Sequence, residues 1–522
     1  MWRPQAPIPP RFAGRVGGAL CAPPGWGVNS KGQGSEDMTL GELIGPEANL
    51  PAPWSDVPIL GLAADSRAVK PGYLFAALPG THTDGARFIE DALARGAAAI
   101  LVPQGGAPSE ATIPIIEDVD PRRRLALIAA RFFKLQPKTI VAVTGTNGKT
   151  SVASFVRQLW EAIGLRSASL GTIGIVSPKG SRTLNHTTPD PIELHGIFTE
   201  LVSDSVTHLA LEASSHGLEQ RRIDGVRLAA AAFTNITRDH LDYHASVEDY
   251  FEQKLRLFRE LLPAGAAAVI DVDSEAGMRV ADVAKARGAR LFTVGQAGES
   301  LRLVATERDG FTQRLKLMHA GKSYAVRLAL VGDFQAANAL VAAGLVIATG
   351  GDADRVIPLL ATLSGAKGRL ELTGMAKSGA PIFIDYAHTP DALAKALRAL
   401  RPYVKGRLVV VFGCGGDRDT GKRPEMGAAA VAEADRVIVT DDNPRSEDPA
   451  AIRRAILAAA PGAVEIGDRA SAIAQAIGEL GGGDVLLIAG KGHETGQIVG
   501  DKIIPFSDHD AVASALGGLS RG

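Results

Sequence analysis

One stretch constrains the fold of this chain more than any other: residues 139–151, TIVAVTGTNGKTS, where an apolar β-branched run ends in a glycine-rich turn. The run has the length and composition of a buried parallel strand, and residues 150–163 are predicted to form the next helix. Backbone N–H groups at such a helix N-terminus bind phosphate oxygens. The stretch therefore predicts a site for ATP or GTP, with Lys149 on the β- and γ-phosphates and the Thr150 hydroxyl on Mg²⁺.

Length and composition exclude several classes of protein. The 522 residues suffice for about three domains. With 46% apolar residues and a net charge of −1, the chain has no global electrostatic affinity for nucleic acid or anionic lipid. Its two cysteines, Cys21 and Cys414, exclude a disulfide framework, and no apolar run approaches the roughly 18 residues of a membrane span. We expect a cytoplasmic, monomeric protein whose partners are small molecules rather than nucleic acid or a membrane.

Residues 1–37 differ from the rest of the chain, since they are rich in proline and glycine and show neither helical nor alternating periodicity. We expect this leader to be disordered. It also lacks the apolar segment of a secretory signal. Met38 opens the first helical pattern, MTLGELIG, and we expect it to be the natural start.

Alternating strand and helix patterns after the leader predict three α/β domains. A small N-terminal α/β domain is expected over residues 38–124. A central P-loop ATPase-like domain with a largely parallel sheet is expected over residues 125–366, in which residues 301–330 form a more polar, strand-like segment. Residues 367–522 are predicted to form a Rossmann-like C-terminal domain, with strands such as RLVVVFG and DVLLIAG.

Polar clusters follow six of the predicted strands, at the point where each strand ends. They begin at Glu212, Thr237, His388, Cys414, Asp441 and Lys491. Because ligands of open parallel sheets gather at the carboxyl ends of the strands, we expect one large cleft between two domains. For any single cluster, a capped helix N-terminus with solvated charges is an equally good interpretation.

Three residues invite a metal interpretation from their positions alone. Glu212 ends the strand expected beside the phosphate-loop strand, which makes it a candidate Mg²⁺ ligand. His240 and His244 stand four residues apart, as a zinc pair on a helix would, but no HExxH motif is present and the phosphate site favours Mg²⁺. Lys254, in DYFEQKLRLF, has the pattern of an ordinary lysine on an amphipathic helix.

Several longer motifs occur together in one order along the chain. They are TGTNGKTS with Val143 in place of the usual first P-loop glycine, HTTPD (186–190), LEASSHGLEQRR (211–222), TNITRDHLDYH (234–244), DYAHTPD (385–391), GCGGDRD (413–419), DDNPR (441–445) and GKGHE (490–494). This set resembles the Mur ligases over nearly the whole chain after the leader, and DDNPR with GKGHE resembles the members that add diaminopimelate. The resemblance implies an ATP-dependent ligase that phosphorylates a carboxylate of UDP-MurNAc-L-Ala-D-Glu. The amine of meso-2,6-diaminopimelate then attacks the acyl phosphate, a step of peptidoglycan precursor synthesis.

The resemblance also implies the catalytic and ATP-binding residues. Lys149, Glu212, His240 and Lys254 would be catalytic, and Thr150, Glu212, His240 and Lys254 would hold Mg²⁺. The counterpart of Lys254 is carbamylated, which a metal role requires because an ammonium cannot bind Mg²⁺. The implied ATP contacts are Gly145, Thr146, Asn147, Gly148, Lys149, Thr150, Ser151, Asn338, Arg369 and Asp385. Near them, Gln335 stands where the family more commonly has Asn, and an amide keeps the hydrogen-bonding ability.

Two further sets of contacts are implied in the same way. The nucleotide-dipeptide substrate would meet Ala64, Ser66, Thr81, His82, Thr83, His186, Thr187, Thr188, Ser214, Gln220 and Arg222. Diaminopimelate would meet Arg418, Asp442, Asn443, Pro444, Arg445, Gly490 and Glu494. Arg445 is suited to the distal carboxylate and Glu494 to the distal ammonium. His186 stands where related enzymes often have Asn.

Three alternatives stay open at this point. A lysine-adding homologue shares most motifs but usually lacks the Arg of DNPR. Folylpolyglutamate synthase shares the ATPase core, but DNPR and the DSR and THTDG loops near residues 65–85 argue against it. A nucleotide-dependent scaffold without ligase activity would have no need to keep all six of Lys149, Thr150, Glu212, His240, Lys254 and Arg445.

Overall fold

The computed structural model describes residues 38–46, 51–80, 84–107, 112–237 and 243–518. The predictions for the leader, for Thr81, His82 and Thr83, and for His240 lie outside these ranges. None of the helices in these ranges has the length and the hydropathy that a membrane span requires.

The N-terminal part is built around a parallel sheet of four strands, in the order β3-β4-β5-β6. The strands of the whole N-terminal part are β1 (Met38–Thr39), β2 (Pro58–Ile59), β3 (Gly61–Ala63), β4 (Tyr73–Ala76), β5 (Ala99–Pro103) and β6 (Ile115–Asp118). Its helices are α1 (Leu40–Ile44), α2 (Ala52–Ser55), α3 (Ile89–Ala94) and α4 (Pro121–Phe133). Thr39 and Glu42 form a capping box, which explains why α1 begins directly after β1.

The central part is an eleven-stranded sheet in the order β10-β9-β8-β11-β7-β12-β13-β14-β15-β16-β17. The strands are β7 (Thr139–Thr144), β8 (Ser167–Gly171), β9 (Gly174–Ser177), β10 (Gly180–Arg182), β11 (His208–Glu212), β12 (Leu228–Phe233), β13 (Ala267–Asp271), β14 (Arg290–Gly295), β15 (Leu301–Asp309), β16 (Thr312–His319) and β17 (Lys322–Leu328). The helices are α5 (Lys149–Ala162), α6 (Pro191–Ser203), α7 (Ser215–Glu219), α8 (Val247–Arg256), α9 (Glu275–Ala286), α10 (Asp333–Ala348) and α11 (Ala353–Leu359). The polar segment predicted over residues 301–330 forms the antiparallel strands β15 to β17.

The C-terminal part has a six-stranded sheet in the order β18-β19-β23-β20-β21-β22, with β18 antiparallel at one edge, and a separate hairpin of β24 and β25. The strands are β18 (Glu371–Met375), β19 (Pro381–Asp385), β20 (Leu408–Phe412), β21 (Arg436–Val439), β22 (Val464–Glu465), β23 (Val485–Ala489), β24 (Gly496–Val499) and β25 (Lys502–Pro505). The helices are α12 (Pro390–Leu400), α13 (Lys422–Glu433), α14 (Pro449–Leu457), α15 (Arg469–Gly478) and α16 (Asp508–Gly518).

The order of the strands fixes where a ligand can bind. In the central sheet, β7 lies between β11 and β12 and is parallel to both, so the loops after β7, β11 and β12 meet at one edge. Five of the six residues of β7 are buried, as expected of a parallel strand covered on both faces. The three-part α/β prediction is confirmed, and the glycine-rich turn lies at a topological switch point.

Candidate active site

The phosphate loop connects β7 to α5 and is closed on itself in this structure. Lys149 Nζ donates to Gly145 O and to Thr146 O, both at 2.8 Å. The segment after β12 braces the loop, because Thr146 N donates to Asn235 O at 2.8 Å and Asn147 N donates to Asn235 Oδ1 at 3.0 Å. The loop is thus held at the helix N-terminus, where anions bind.

A compact group of oxygen atoms lies beside this loop, centred on Glu212. The Thr150 hydroxyl donates to Glu212 Oε2 at 3.1 Å, Thr172 N donates to Oε1 at 2.9 Å, and the Thr172 hydroxyl donates to Oε2 at 3.1 Å. Glu212 is only 1% exposed, so water screens its interactions with these partners very little. A carboxylate and hydroxyls are the hard oxygen ligands that Mg²⁺ prefers, and the residues present fit that ion.

The interpretation of Lys254 as an ordinary surface lysine is wrong. Its side chain is 1% exposed, and Nζ donates to Gly145 O at 2.8 Å. Nζ also lies 4.2 Å from the centre of the Tyr250 ring, one turn earlier on α8. Two lysines, Lys149 and Lys254, therefore converge on one carbonyl of the phosphate loop. The helical pattern was right, but the face that carries Lys254 packs against the loop instead of facing water.

Four of the predicted peptide-binding residues form one hydrogen-bonded network. The Thr188 hydroxyl donates to Glu212 O at 2.8 Å and lies 3.1 Å from Ser214 Oγ. Arg222 donates through Nη1 to Thr188 O at 2.6 Å and through Nη2 to Gln220 Oε1 at 2.7 Å. The network shares Glu212 with the phosphate site, which brings the two predicted ligand groups to the same edge of the sheet.

The remaining predicted substrate residues lie at two places. Thr187 Oγ1 is 3.1 Å from Thr172 Oγ1, and burial, aided by the charge of Arg222, lowers the pKa of His186. In the N-terminal part, Ala64 is exposed at the end of β3 and Ser66 is buried. Ala64 and Ser66 are therefore placed by the N-terminal sheet, not by the network around Thr188.

The predicted nucleoside side is connected to the phosphate loop through α10. Asn338 is buried, and a Cβ on Gly148, whose φ is 89°, would lie only 2.2 Å from Asn338 Oδ1. Asn338 Nδ2 donates to Gln335 Oε1 at 3.3 Å, and Gln335 Nε2 donates to Arg369 O at 3.2 Å. Gly148 thus permits the close approach of the loop to α10, and the amide of Gln335 is used for hydrogen bonding.

Arg369 and Asp385 belong to the C-terminal part and face the same region. Arg369 Nη2 lies 3.4 Å from the Thr150 hydroxyl, and its guanidinium lies 5.0 Å from the Tyr386 ring centre. Asp385 Oδ2 accepts from Leu370 N at 2.6 Å. Burial raises the pKa of Asp385, while Arg369 and the backbone donors act in the opposite direction. Arg369 therefore connects the C-terminal part to the phosphate-binding helix.

A second polar centre lies where β21 and β23 end in the C-terminal sheet. Asn443 Nδ2 donates to Glu494 Oε2 at 2.9 Å. Lys491 is fully buried, and its Nζ donates to Glu494 Oε2 at 2.8 Å and to Asn443 Oδ1 at 3.1 Å. A Cβ on Gly490, whose φ is 113°, would lie 2.7 Å from Asp442 Oδ2, so DDNPR and GKGHE are in direct contact. These five residues form what we call the amine pocket, together with Arg445 beside them.

Arg445 is held in an unusual backbone conformation. Its φ is 51°, its N donates to Ile498 O at 3.0 Å, and its carbonyl accepts from Gly500 N at 2.7 Å. Nη1 of the half-buried side chain donates to Gly416 O at 2.7 Å. Pro444 is buried beside it, whereas Arg418 is exposed on the loop after Gly416. The hairpin of β24 and β25 therefore fixes the backbone from which Arg445 projects.

Comparison with known families assigns most of the chain. The Mur ligase middle domain matches residues 143–346, the glutamate ligase domain of Mur ligases matches residues 368–492, and the catalytic domain of the Mur ligase family matches residues 58–133. The chain belongs to the Mur ligase family. It is an ATP-dependent ligase that forms amide bonds.

Similar proteins share nearly the full length of this Mur ligase. A UDP-N-acetylmuramoyl-L-alanyl-D-glutamate–2,6-diaminopimelate ligase from Bradyrhizobium diazoefficiens is 60% identical over 483 residues, which cover 92% of this chain and 99% of that protein. A ligase of the same name from Mesorhizobium japonicum is 53% identical over 462 residues, with coverages of 88% and 96%. A solved structure of that name has a TM-score of 0.69 at 32% identity and covers 92% of this chain and 100% of its own.

Sequence reasoning assigned no role to two residues that contact predicted site residues in the structure. Thr172 binds both oxygens of Glu212, and Lys491 joins Asn443 to Glu494. A signal was present for Lys491, since it directly follows the buried strand β23 within GKGHE. Thr172 carries no comparable signal, because it lies in an ordinary turn between β8 and β9.

Proposed function

We propose that this Mur ligase adds meso-2,6-diaminopimelate to UDP-MurNAc-L-Ala-D-Glu at the expense of ATP, in peptidoglycan precursor synthesis. The relatives at 60% and 53% identity carry that name. The observation that carries the proposal is the amine pocket, where the Glu494 carboxylate accepts from Asn443 at 2.9 Å and Arg445 lies two residues further along the same loop. An acidic group and a guanidinium suit the ammonium and the carboxylate at the distal end of diaminopimelate.

The first step is phosphorylation of the substrate carboxylate. Its oxygen attacks the γ-phosphorus of ATP, the bond to the β,γ-bridging oxygen breaks, and ADP leaves. Lys149 and the loop N–H groups stabilise the charge that develops on the phosphate oxygens. Mg²⁺, when bound, would neutralise part of that charge, and Thr150, Glu212, His240 and a carbamylated Lys254 are its proposed ligands. Arg222 and Thr188 would orient the peptide end of the substrate.

The second step forms the amide. The amine nitrogen of diaminopimelate attacks the acyl carbon, the bond from that carbon to the phosphate oxygen breaks, and inorganic phosphate leaves. The amine pocket contributes by holding the distal end of the amino acid, which aligns the attacking amine and replaces a bimolecular encounter by a positioned one.

Specificity for diaminopimelate over lysine would depend on Arg445. Lysine lacks the distal carboxylate, so its binding would leave the guanidinium without its ionic partner at a loss of about 1–3 kcal/mol. The guanidinium of Arg445 would then lose water on lysine binding without gaining a carboxylate in its place.

The remaining assignments complete the proposal. We assign UDP-MurNAc to residues 38–124 with Ala64, Ser66, Thr81, His82 and Thr83. We assign the adenosine of ATP to residues 125–366 with Asn338, and the amino acid to residues 367–522. Arg369 and Asp385 would face the ribose. We also propose that the enzyme acts as a monomer in the cytoplasm.

The experiment that tests the function is phosphate release measured with the full chain, ATP and Mg²⁺. Release should require both UDP-MurNAc-L-Ala-D-Glu and an amino acid, and meso-diaminopimelate should be used far better than L-lysine at equal concentration. ATP turnover that ignores both substrates would refute the ligase. Equal use of L-lysine would refute the assignment of Arg445 and favour the lysine-adding alternative.

A further inference from the structure

A fully buried ion pair lies directly beneath the amine pocket. Arg469, at the start of α15, donates through Nε to Asp508 Oδ1 at 2.7 Å and through Nη2 to Asp508 Oδ2 at 2.8 Å. Both side chains are 0% exposed, and Asp508 is the first residue of α16. None of the substrate contacts predicted above includes either residue.

The pair needs an explanation other than stability. Burying two charges costs desolvation energy that their attraction often fails to recover, and apolar replacements are frequently as stable. A buried bidentate pair is therefore informative mainly about what its remaining donors hold in place.

Those donors point to the two segments that carry the amine pocket. Arg469 Nη2 also donates to Ala489 O at 2.9 Å, and Nη1 lies 3.5 Å from Asp441 O. Ala489 immediately precedes Gly490, and Asp441 immediately precedes Asp442. The guanidinium thus reaches the backbone just before each of two predicted diaminopimelate contacts.

Hydrogen bonds between neighbouring strands cannot hold these two segments together, because the strands that precede them are not neighbours in the sheet. The segments follow β23 and β21, which are separated by β20. Gly490 and Asp442 nevertheless approach so closely that a Cβ on Gly490 would lie 2.7 Å from Asp442 Oδ2. Arg469 contacts the carbonyls at both strand ends, and its positive charge lies near the acidic groups of Asp442 and Glu494.

We propose that Arg469, held in its orientation by Asp508, is a positioning residue that sets the width of the amine pocket. It touches no substrate. It fixes the two backbone segments that do, and through Asp508 it makes the pocket depend on α16 near the C-terminus. The proposal rests on the amino acid binding in this pocket, as stated under the proposed function.

The test compares Arg469→Lys and Asp508→Asn with a matched control in the same domain. Lysine keeps the charge but cannot make the bidentate pair and reach two carbonyls as well. The control is Asp484→Asn. Asp484 is also buried and paired, with Arg407 Nη2 donating to Oδ2 at 2.8 Å, but it lies at the amino ends of β20 and β23, opposite the pocket.

For both test variants, the KM for the amino acid should rise about 10- to 100-fold, while the KM values for ATP and the UDP substrate stay within about twofold of the wild type. Asp484→Asn should lower the thermal midpoint and leave all three KM values unchanged. A lower thermal midpoint for the Arg469 and Asp508 variants, with an unchanged KM for the amino acid, would show that the pair is purely structural and would overturn the proposal.

A double variant separates folding from positioning. Arg469→Met with Asp508→Leu replaces the pair by apolar groups and should recover most of the thermal midpoint. Its KM for the amino acid should stay high, because no donor reaches Ala489 O or Asp441 O; recovery of a normal KM would contradict the proposal. The wild type is first assayed with diaminopimelate and L-lysine, and the KM is followed for whichever is used. Preference for lysine would therefore refute the proposed substrate while still testing Arg469.

Discussion

Replacing Arg445 by alanine tests the amine pocket most directly. Nη1 donates to Gly416 O at 2.7 Å, and within the described part of the chain this is the one hydrogen-bond partner of the guanidinium. Nε and Nη2 therefore stay available for two parallel hydrogen bonds to a carboxylate. The substitution removes that fork and leaves the rest of the pocket in place.

The structure also indicates that the fold should tolerate this change. Arg445 has a φ of 51°, a conformation that costs any residue with a Cβ about 1–2 kcal/mol, so alanine neither adds nor relieves strain. The backbone hydrogen bonds to Ile498 and Gly500 do not involve the side chain. A fall in activity can then be assigned to the lost guanidinium.

The expected loss follows from the two available donors. A hydrogen bond to a charged group contributes about 1.5–3 kcal/mol, and a coupled pair that is partly replaced by water contributes about 2–3 kcal/mol in total. At 1.36 kcal/mol per tenfold change, the KM for diaminopimelate should rise about 30- to 150-fold. The KM of Arg445→Lys for diaminopimelate should lie between those of the wild type and Arg445→Ala, since lysine keeps the charge but not the two parallel donors.

The assay is phosphate release at saturating ATP and UDP substrate, with diaminopimelate varied. Arg454→Ala is the control, because Arg454 is an exposed arginine in the same domain whose pair with Asp448 spans 3.5 Å. A rise in the KM for ATP equal to that for diaminopimelate, or less than a threefold change in the latter, would remove Arg445 from the pocket.

Three further substitutions test other parts of the structure. Lys254→Ala should abolish phosphate release, and bicarbonate should not restore it. Restoration by short carboxylic acids would support a carbamate at Lys254. Full activity of the variant would exclude any role for Lys254. Gly148→Ala should raise the KM for ATP at least about tenfold, since its Cβ would lie 2.2 Å from Asn338 Oδ1 at a φ of 89°; an unchanged KM would mean that the loop and α10 separate easily. His195 is fully buried on α6, both its ring nitrogens are without a hydrogen-bond partner among the described residues, and burial lowers its pKa from 6.5 to about 4. The wild type should therefore lose about 3 kcal/mol of its free energy of unfolding as the pH drops from 6.5 to about 4, because the unfolded state binds a proton at this histidine and the folded state does not. His195→Leu should lose less over the same range, as measured by urea unfolding. Equal losses for the two proteins would contradict the lowered pKa of His195.

Local patterns in the sequence were sufficient for the order of elements. The run from Thr139 to Thr144 was predicted as a buried strand, and it forms β7; residues 150–163 were predicted to form the next helix, and α5 covers Lys149–Ala162. These predictions succeed because strand and helix formation depend on spacing within about 10 neighbouring residues. The position of Glu212 beside the phosphate-loop strand also followed, because parallel strands end at the same edge of a sheet.

Charged residues mark where local patterns fail. Lys254 has the spacing of a solvated lysine, yet it is buried against a loop that lies 109 positions earlier. Lys491 and Arg469 are likewise among the most deeply buried charges, and each binds a side chain far away in the sequence: Asn443 lies 48 positions from Lys491, and Asp508 lies 39 positions from Arg469. A buried charge needs a compensating group, and that group can come from anywhere in the chain.

The sequence by itself therefore determined the three-part α/β architecture, the phosphate loop and the motifs that place this chain among the Mur ligases, because each of these is encoded in residues close together. Only the tertiary structure decided which charged side chains are buried and what they hold: Glu212 with Thr172, Asn443 with Lys491, and Arg469 with Asp508. Those pairs depend on the packing of distant strands and helices, so no local pattern could have shown them.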